Sequence, residues 1–86
     1  MLVRTVTITD PQGLHAQVAH DLAAAASRFS ASIWVRHDGR RASLADPIQV
    51  LALGAPAGSE LIVVADGLDE AEALATICEL LGTPPQ

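Results

Sequence analysis

The sequence predicts an α+β fold in which four strands, mostly antiparallel, carry three helices on a single face in the order βαββαβα. Strand-like and helical segments alternate along the 86 residues without an internal repeat. Asp38-Gly39 is a two-residue type I′ hairpin signal that joins the middle strands. The strands themselves are apolar on one face only, so helices need cover just one side of the sheet. Residues 1–86 are expected to form a single domain, with 83–86 as a frayed tail.

Each element follows from its pattern. Leu2 to Thr9 alternates with a period of two, and Val6 and Ile8 mark its buried face. Asp10-Pro11-Gln12-Gly13 is a loop by composition. From Ala16 to Phe29 the residues Ala19, Leu22, Ala23, Ala26 and Phe29 recur at helical spacing through an alanine-rich run. Ile33 to His37 is the second strand. The turn pairs His37 with Arg40, Val35 with Ala42 and Ile33 with Leu44, leaving Trp34, Arg36, Arg41 and Ser43 on the opposite face. Asp46-Pro47 starts a short helix with an N-cap acceptor and a proline at the first position, and Gly54 stops it after Leu53. That helix carries Ile48, Val50, Leu51 and Leu53, more than one narrow stripe can bury, so Ile48 and Leu51 are expected to project outward and Val50 and Leu53 to face the sheet. Leu61 to Ala65 reads as a central strand. Asp69 is expected to cap the last helix, whose stripe is Ala73, Leu74, Ile77, Cys78 and Leu81.

Composition narrows the function. Half the residues are apolar but only Phe29 and Trp34 are aromatic, which predicts a thin aliphatic core built around Phe29. The net charge is -5, and the five bases are all arginine and scattered, so no basic stripe serves nucleic acid. No apolar run approaches the roughly 18 residues of a membrane span, and no signal peptide is evident, so no membrane insertion and a cytoplasmic location are expected. Cys78 is the single cysteine and falls on a buried stripe, which reads as an inert thiol.

The chemistry is expected at Gly13-Leu14-His15-Ala16, where a glycine turn delivers His15 to the mouth of the first helix. The first backbone N–H groups of a helix lack intrahelical partners and the dipole there is positive, so an anion finds donors and a favourable field. The same field disfavours an imidazolium, and a neutral imidazole beside an anion site is equipped to accept a phosphoryl group. A histidine that merely caps the helix is the plain alternative. Metal binding fits poorly, because His15 and His20 are five apart, off one helix face, and His37 lies in the hairpin. Neither a metal nor a cofactor is expected.

These residues, in this order of elements, resemble the HPr family of histidine phosphocarrier proteins of the phosphoenolpyruvate:sugar phosphotransferase system. Gly13-Leu14-His15-Ala16 matches the family's active-site motif, Leu53-Gly54-Ala55 the end of its second helix, and Asp66-Gly67-Leu68-Asp69-Glu70 the turn into its last helix, without gaps. The resemblance implies an open-faced β-sandwich, with His15 taking a phosphoryl group from enzyme I and passing it to a sugar-specific enzyme II A component. It implies phosphate binding at Ala16 and Gln17, a partner surface of Val18, Pro47, Ile48 and Leu51, and a regulatory position at Asp46. A monomer is expected. Three departures stand out: Gln17-Val18-Ala19 replaces Arg-Pro-Ala, Asp46 replaces a serine that a kinase modifies in many members, and Ala24, Ser27 and Gln49 replace frequent bases. Gln17 brings no charge to the phosphoryl group, and steering toward an acidic partner is weakened. An HPr-like regulatory or adaptor module with weakened transfer is therefore the second reading, while the intact His15 and helix start favour a working carrier.

Overall fold

Alternating burial marks the core-facing residues of the second strand in the computed structural model, which describes residues 1–83, whereas the first strand buries only Val6 and Ile8 and the central strand buries Val63, Val64 and Ala65 in succession. The elements are β1 (Leu2–Ile8), α1 (Ala16–Ala26), β2 (Ser32–His37), β3 (Arg40–Ser43), α2 (Pro47–Ala52), β4 (Glu60–Asp66), α3 (Glu70–Leu81) and β5 (Gly82–Thr83). The sheet order is β3-β2-β4-β1-β5, with every pairing antiparallel. It is the expected open four-stranded sheet with three helices, lengthened at one edge by two residues. Thr83, read from sequence as the start of a frayed tail, instead pairs with Thr7 beside the Ile8–Gly82 pair. Gly82 permits this approach, because a Cβ there would lie on the carbonyl oxygen of Thr7. The rest of the expected tail, 84–86, lies outside the described residues.

The hairpin has the expected register, His37 opposite Arg40 and Val35 opposite Ala42, and the Leu44 N–H donates to the Ile33 carbonyl at 3.0 Å. Asp38 and Gly39 both take positive φ, 52° and 79°, as a type I′ turn requires. Val6, Ile8, Ile33, Val35, Ala42, Leu44, Leu61, Val63 and Ala65 are buried against Ala19, Leu22 and Ala25 of α1, Val50 of α2 and the full predicted stripe of α3. Each fully buried aliphatic side chain of this kind contributes about 1.5–3 kcal/mol relative to exposure. Cys78 is buried and free, and burial pushes its thiol above the ordinary range. Among the described residues no helix is long and apolar enough to cross a membrane.

Three further expectations change. α1 ends at Ala26 rather than Phe29, because the Ser27 hydroxyl donates to the Ala24 carbonyl and Arg28 and Phe29 bond three residues back in a tightened last turn. Phe29 is consequently half-buried, and it packs at the margin of the core instead of at its centre. The outer face of the sheet is also less polar than expected, since Val3, Val64, Trp34 and Ser43 form one row across four strands. Trp34 lies half-buried there with the Arg41 guanidinium 5.5 Å from its ring centre.

The third change is at Asp69, which occupies the N-cap position of α3 without a side-chain capping bond. Its carboxylate instead accepts from the Ser30 N–H at 2.9 Å, the Ala31 N–H at 2.8 Å and the Ser30 hydroxyl at 3.2 Å, tying the start of α3 to the start of β2. Sequence pattern shows a carboxylate before a helix but not a second segment arriving with free N–H groups. Those donors, Ser30 first, hold the Asp69 carboxyl below its ordinary 3.8. A carboxyl lowered by folding stabilises above its unfolded value and loses that contribution as pH falls through the folded one. Asp69→Ala is therefore expected to lower Tm at pH 7, and the difference from the parent should shrink as thermal melts are taken below pH 3.8. A gap that is independent of pH would contradict this origin.

Candidate functional site

The site is built from the loop Asp10–Gly13, the start of α1 and the loop that follows α2. Gly13 holds φ +69° and closes a turn by donating from its N–H to the Asp10 carbonyl at 2.9 Å. Its face is pressed on the later loop, where a Cβ would come within 2.5 Å of the Ala55 oxygen and 2.9 Å of the Pro56 Cα. The next N–H, that of Leu14, donates to the same Ala55 carbonyl at 3.0 Å, and the Leu14 side chain is buried in the core. Two consecutive residues thus anchor the turn, and the third is left to present its side chain.

That third residue is His15, the N-cap of α1, in extended geometry at φ -94°, ψ 177°. Its carbonyl accepts the first helical bond from the Ala19 N–H at 3.0 Å. The imidazole makes no capping bond, so the plain capping alternative does not describe the side chain. The N–H groups of Ala16, Gln17 and Val18 precede that first helical bond and point out of the helix mouth. The ring is partly exposed, and its Nε2 lies 3.2 Å from Oδ2 of Asp10.

Asp10 is the site residue that sequence reasoning missed. Its other oxygen, Oδ1, accepts the Gln12 N–H at 2.9 Å, the turn that aspartate favours with the residue two further on. The Gln12 N–H first, and His15 second, hold the Asp10 carboxyl below the ordinary carboxylate range. An Asx-turn signal five residues before the histidine was available in the sequence, although nothing there showed which way the free oxygen faces.

The remaining site residues fall at different depths. Ala16 and Gln17 are exposed at the helix mouth, but the Gln17 amide donates along the helix to Asp21 at 2.9 Å. Val18 is half-buried and packs against the core, so it offers only part of its side chain to a partner. Pro47 is half-buried at the first position of α2, where Asp46 Oδ1 accepts from the Ile48 N–H at 3.0 Å and the Gln49 N–H at 3.4 Å. On α2 the expected division holds. Ile48 is 76% exposed and Leu51 40%, against 0% for Val50 and 5% for Leu53. Arg40, read from sequence only as a strand residue, caps the other end of α2 by donating to the Ala52 and Leu53 carbonyls, both at 2.9 Å. His20 is exposed on α1 and His37 lies in the hairpin. Among the described residues no three metal-ligating side chains gather.

Fold and site together define a histidine presented at a helix N-terminus on an open antiparallel sheet. Comparison with known proteins gives the same class, for the family described as the PTS HPr component phosphorylation site matches residues 2–83. The chain belongs to the HPr family. It is 39% identical over 77 residues to the phosphocarrier protein HPr of Treponema pallidum, covering 90% of this chain and 88% of that one. It superposes on the crystal structure of HPr from Thermoanaerobacter tengcongensis with a TM-score of 0.89 at 32% identity, covering 94% of this chain and 91% of that one. The phosphocarrier protein HPr of Bacillus anthracis gives the same TM-score at 25% identity, with 93% and 95% covered.

The glycine contact is open to a direct test. Gly13→Ala combines a positive φ with a Cβ against backbone, and it should cost about 1–3 kcal/mol, read as a lower urea midpoint. An unchanged midpoint would mean that the two loops can separate freely.

Proposed function

We propose that this chain is a phosphocarrier, accepting a phosphoryl group on His15 from phospho-enzyme I and passing it to a sugar-specific enzyme II A component in the cytoplasm. The observation that carries the reading is the uncapped mouth of α1, where the His15 imidazole stands beside the N–H groups of Ala16 and Gln17. In uptake, a ring nitrogen forms a bond to phosphorus as the bond to enzyme I breaks. The phosphoryl oxygens, carrying close to two negative charges, then meet backbone donors and the positive end of the helix. The family supports partners of the phosphotransferase system. A monomeric carrier is part of the same proposal.

Partner docking is assigned to α2. Ile48 and Leu51 are large, apolar and exposed on a helix fixed at both ends by Asp46 and Arg40. A rigid apolar anchor of this kind costs little ordering entropy on binding. The low positive charge of this face shifts recognition from long-range steering toward such contacts.

Incubation with enzyme I and labelled phosphoenolpyruvate is expected to place label on His15 as a phosphohistidine, labile in acid and stable in base. His15→Ala should remove it, and label retained by that variant would overturn the assignment. The docking face is tested separately. Ile48→Glu and Leu51→Glu should each weaken enzyme I binding by roughly tenfold, about 1.4 kcal/mol, while thermal melts stay near the parent because both residues are exposed. Unaltered affinity in both variants would move the docking surface elsewhere.

A further inference from the structure

The contact between Asp10 and His15 restricts the chemistry of the ring. A carboxylate accepts hydrogen bonds but cannot donate them. With Oδ2 at 3.2 Å from Nε2, the proton of the neutral imidazole belongs on Nε2 and the lone pair on Nδ1. The carboxylate is not free to drift, because Oδ1 is held by the Gln12 N–H within the same loop that delivers the histidine. Among the described residues, Asp10 is the only side chain hydrogen-bonded to the ring. Gln17, the neighbour best placed in sequence to help, has its amide on Asp21.

We propose that Asp10 is a positioning residue for phosphoryl uptake by His15, a proposal that rests on the carrier reading above. It holds the ring through Nε2–H, makes Nδ1 the acceptor nitrogen, and places its negative charge against the ring that becomes cationic on phosphorylation. The step balances without proton transfer. The Nδ1 lone pair forms the N–P bond, the bond from phosphorus to the donor breaks and its electron pair leaves with the donor, and Nε2 keeps its hydrogen. The product is a phosphoimidazolium. A hydrogen bond from a neutral ring to Asp10 thereby becomes one between opposite charges, and such bonds are stronger. An interaction that strengthens along the reaction lowers the barrier, whereas one of constant strength would not. The carboxylate meets Nε2, the nitrogen across the ring from the phosphoryl group, so it faces the ring cation more closely than the incoming oxygens.

Phosphoramidate tests this, since it is a small donor that needs no enzyme I. The parent should be phosphorylated at Nδ1, as read by 31P and 15N NMR. Asp10→Ala should react roughly three- to tenfold more slowly and form the Nε2 adduct as well. Asp10→Asn keeps an acceptor oxygen and the shape of the side chain, so it should retain Nδ1 as the site and still be slower. That variant decides the matter if Asp10→Ala fails to fold. Parental rates in Asp10→Asn, an Nδ1-only product at parental rate in Asp10→Ala, an Nε2 adduct in the parent, or a parent inert to phosphoramidate would each overturn the proposal. Failure of the carrier reading has a separate signature, a parent that accepts from phosphoramidate at Nδ1 but never from enzyme I.

Discussion

The close approach of Gly13 to the backbone at Ala55 and Pro56 is the constraint on which the rest of the site depends. It leaves no space for a side chain, so two loops far apart in sequence meet main chain to main chain. From that meeting the Leu14 N–H reaches the Ala55 carbonyl, and the direction in which α1 starts is set. The same loop follows directly on Leu53, whose carbonyl Arg40 holds. The histidine turn and the end of α2 are thus coupled through consecutive backbone contacts, and the hairpin joins them through the Arg40 guanidinium.

An aliphatic core with half-buried aromatics gives this chain few large side chains with which to lock its segments together. Carboxylates supply part of the difference. Asp10 takes the Gln12 N–H, Asp46 those of Ile48 and Gln49, Asp69 those of Ser30 and Ala31, and Glu70 that of Gly67. Each joins a loop or a helix start to its surroundings through a donor that the secondary structure leaves unpaired. Four of the ten acids that suggest a repulsive surface therefore serve as backbone ties. Arg40 performs the converse service for carbonyls.

Sequence pattern carried the fold where a period or a turn has a single physical solution. The two-residue alternation of Val6 and Ile8, the Asp38-Gly39 hairpin, the stripe of α3 and the start of α2 at Asp46-Pro47 all appear as read. The division of α2 into buried Val50 and Leu53 and exposed Ile48 and Leu51 was also legible, because a short helix has only one face to hide. Less legible was anything decided by an encounter between distant segments. Asp69 meets the start of β2, Arg40 meets the end of α2, and Gly82 draws the chain alongside Thr7. The place of His15 at the mouth of α1 was legible from its motif, but its contact with Asp10 was not, since loop composition does not say where a second carboxylate oxygen points. The shortened α1 is a similar case, where one serine hydroxyl and a tightened turn outweigh a helical pattern that runs on to Phe29.

Trp34 is the only tryptophan in the chain, which has no tyrosine. It stands on the uncovered face of the sheet under the Arg41 guanidinium, while Ile48, Leu51 and the mouth of α1 belong to the helical layer. Nature has therefore placed a single optical reporter on the side of the molecule that carries no proposed partner contact. Its ultraviolet emission registers the integrity of the hairpin and of the Arg41 stack, and so monitors folding separately from docking. A probe of encounters with other proteins has to be introduced on the opposite layer, where the native chain is spectroscopically silent.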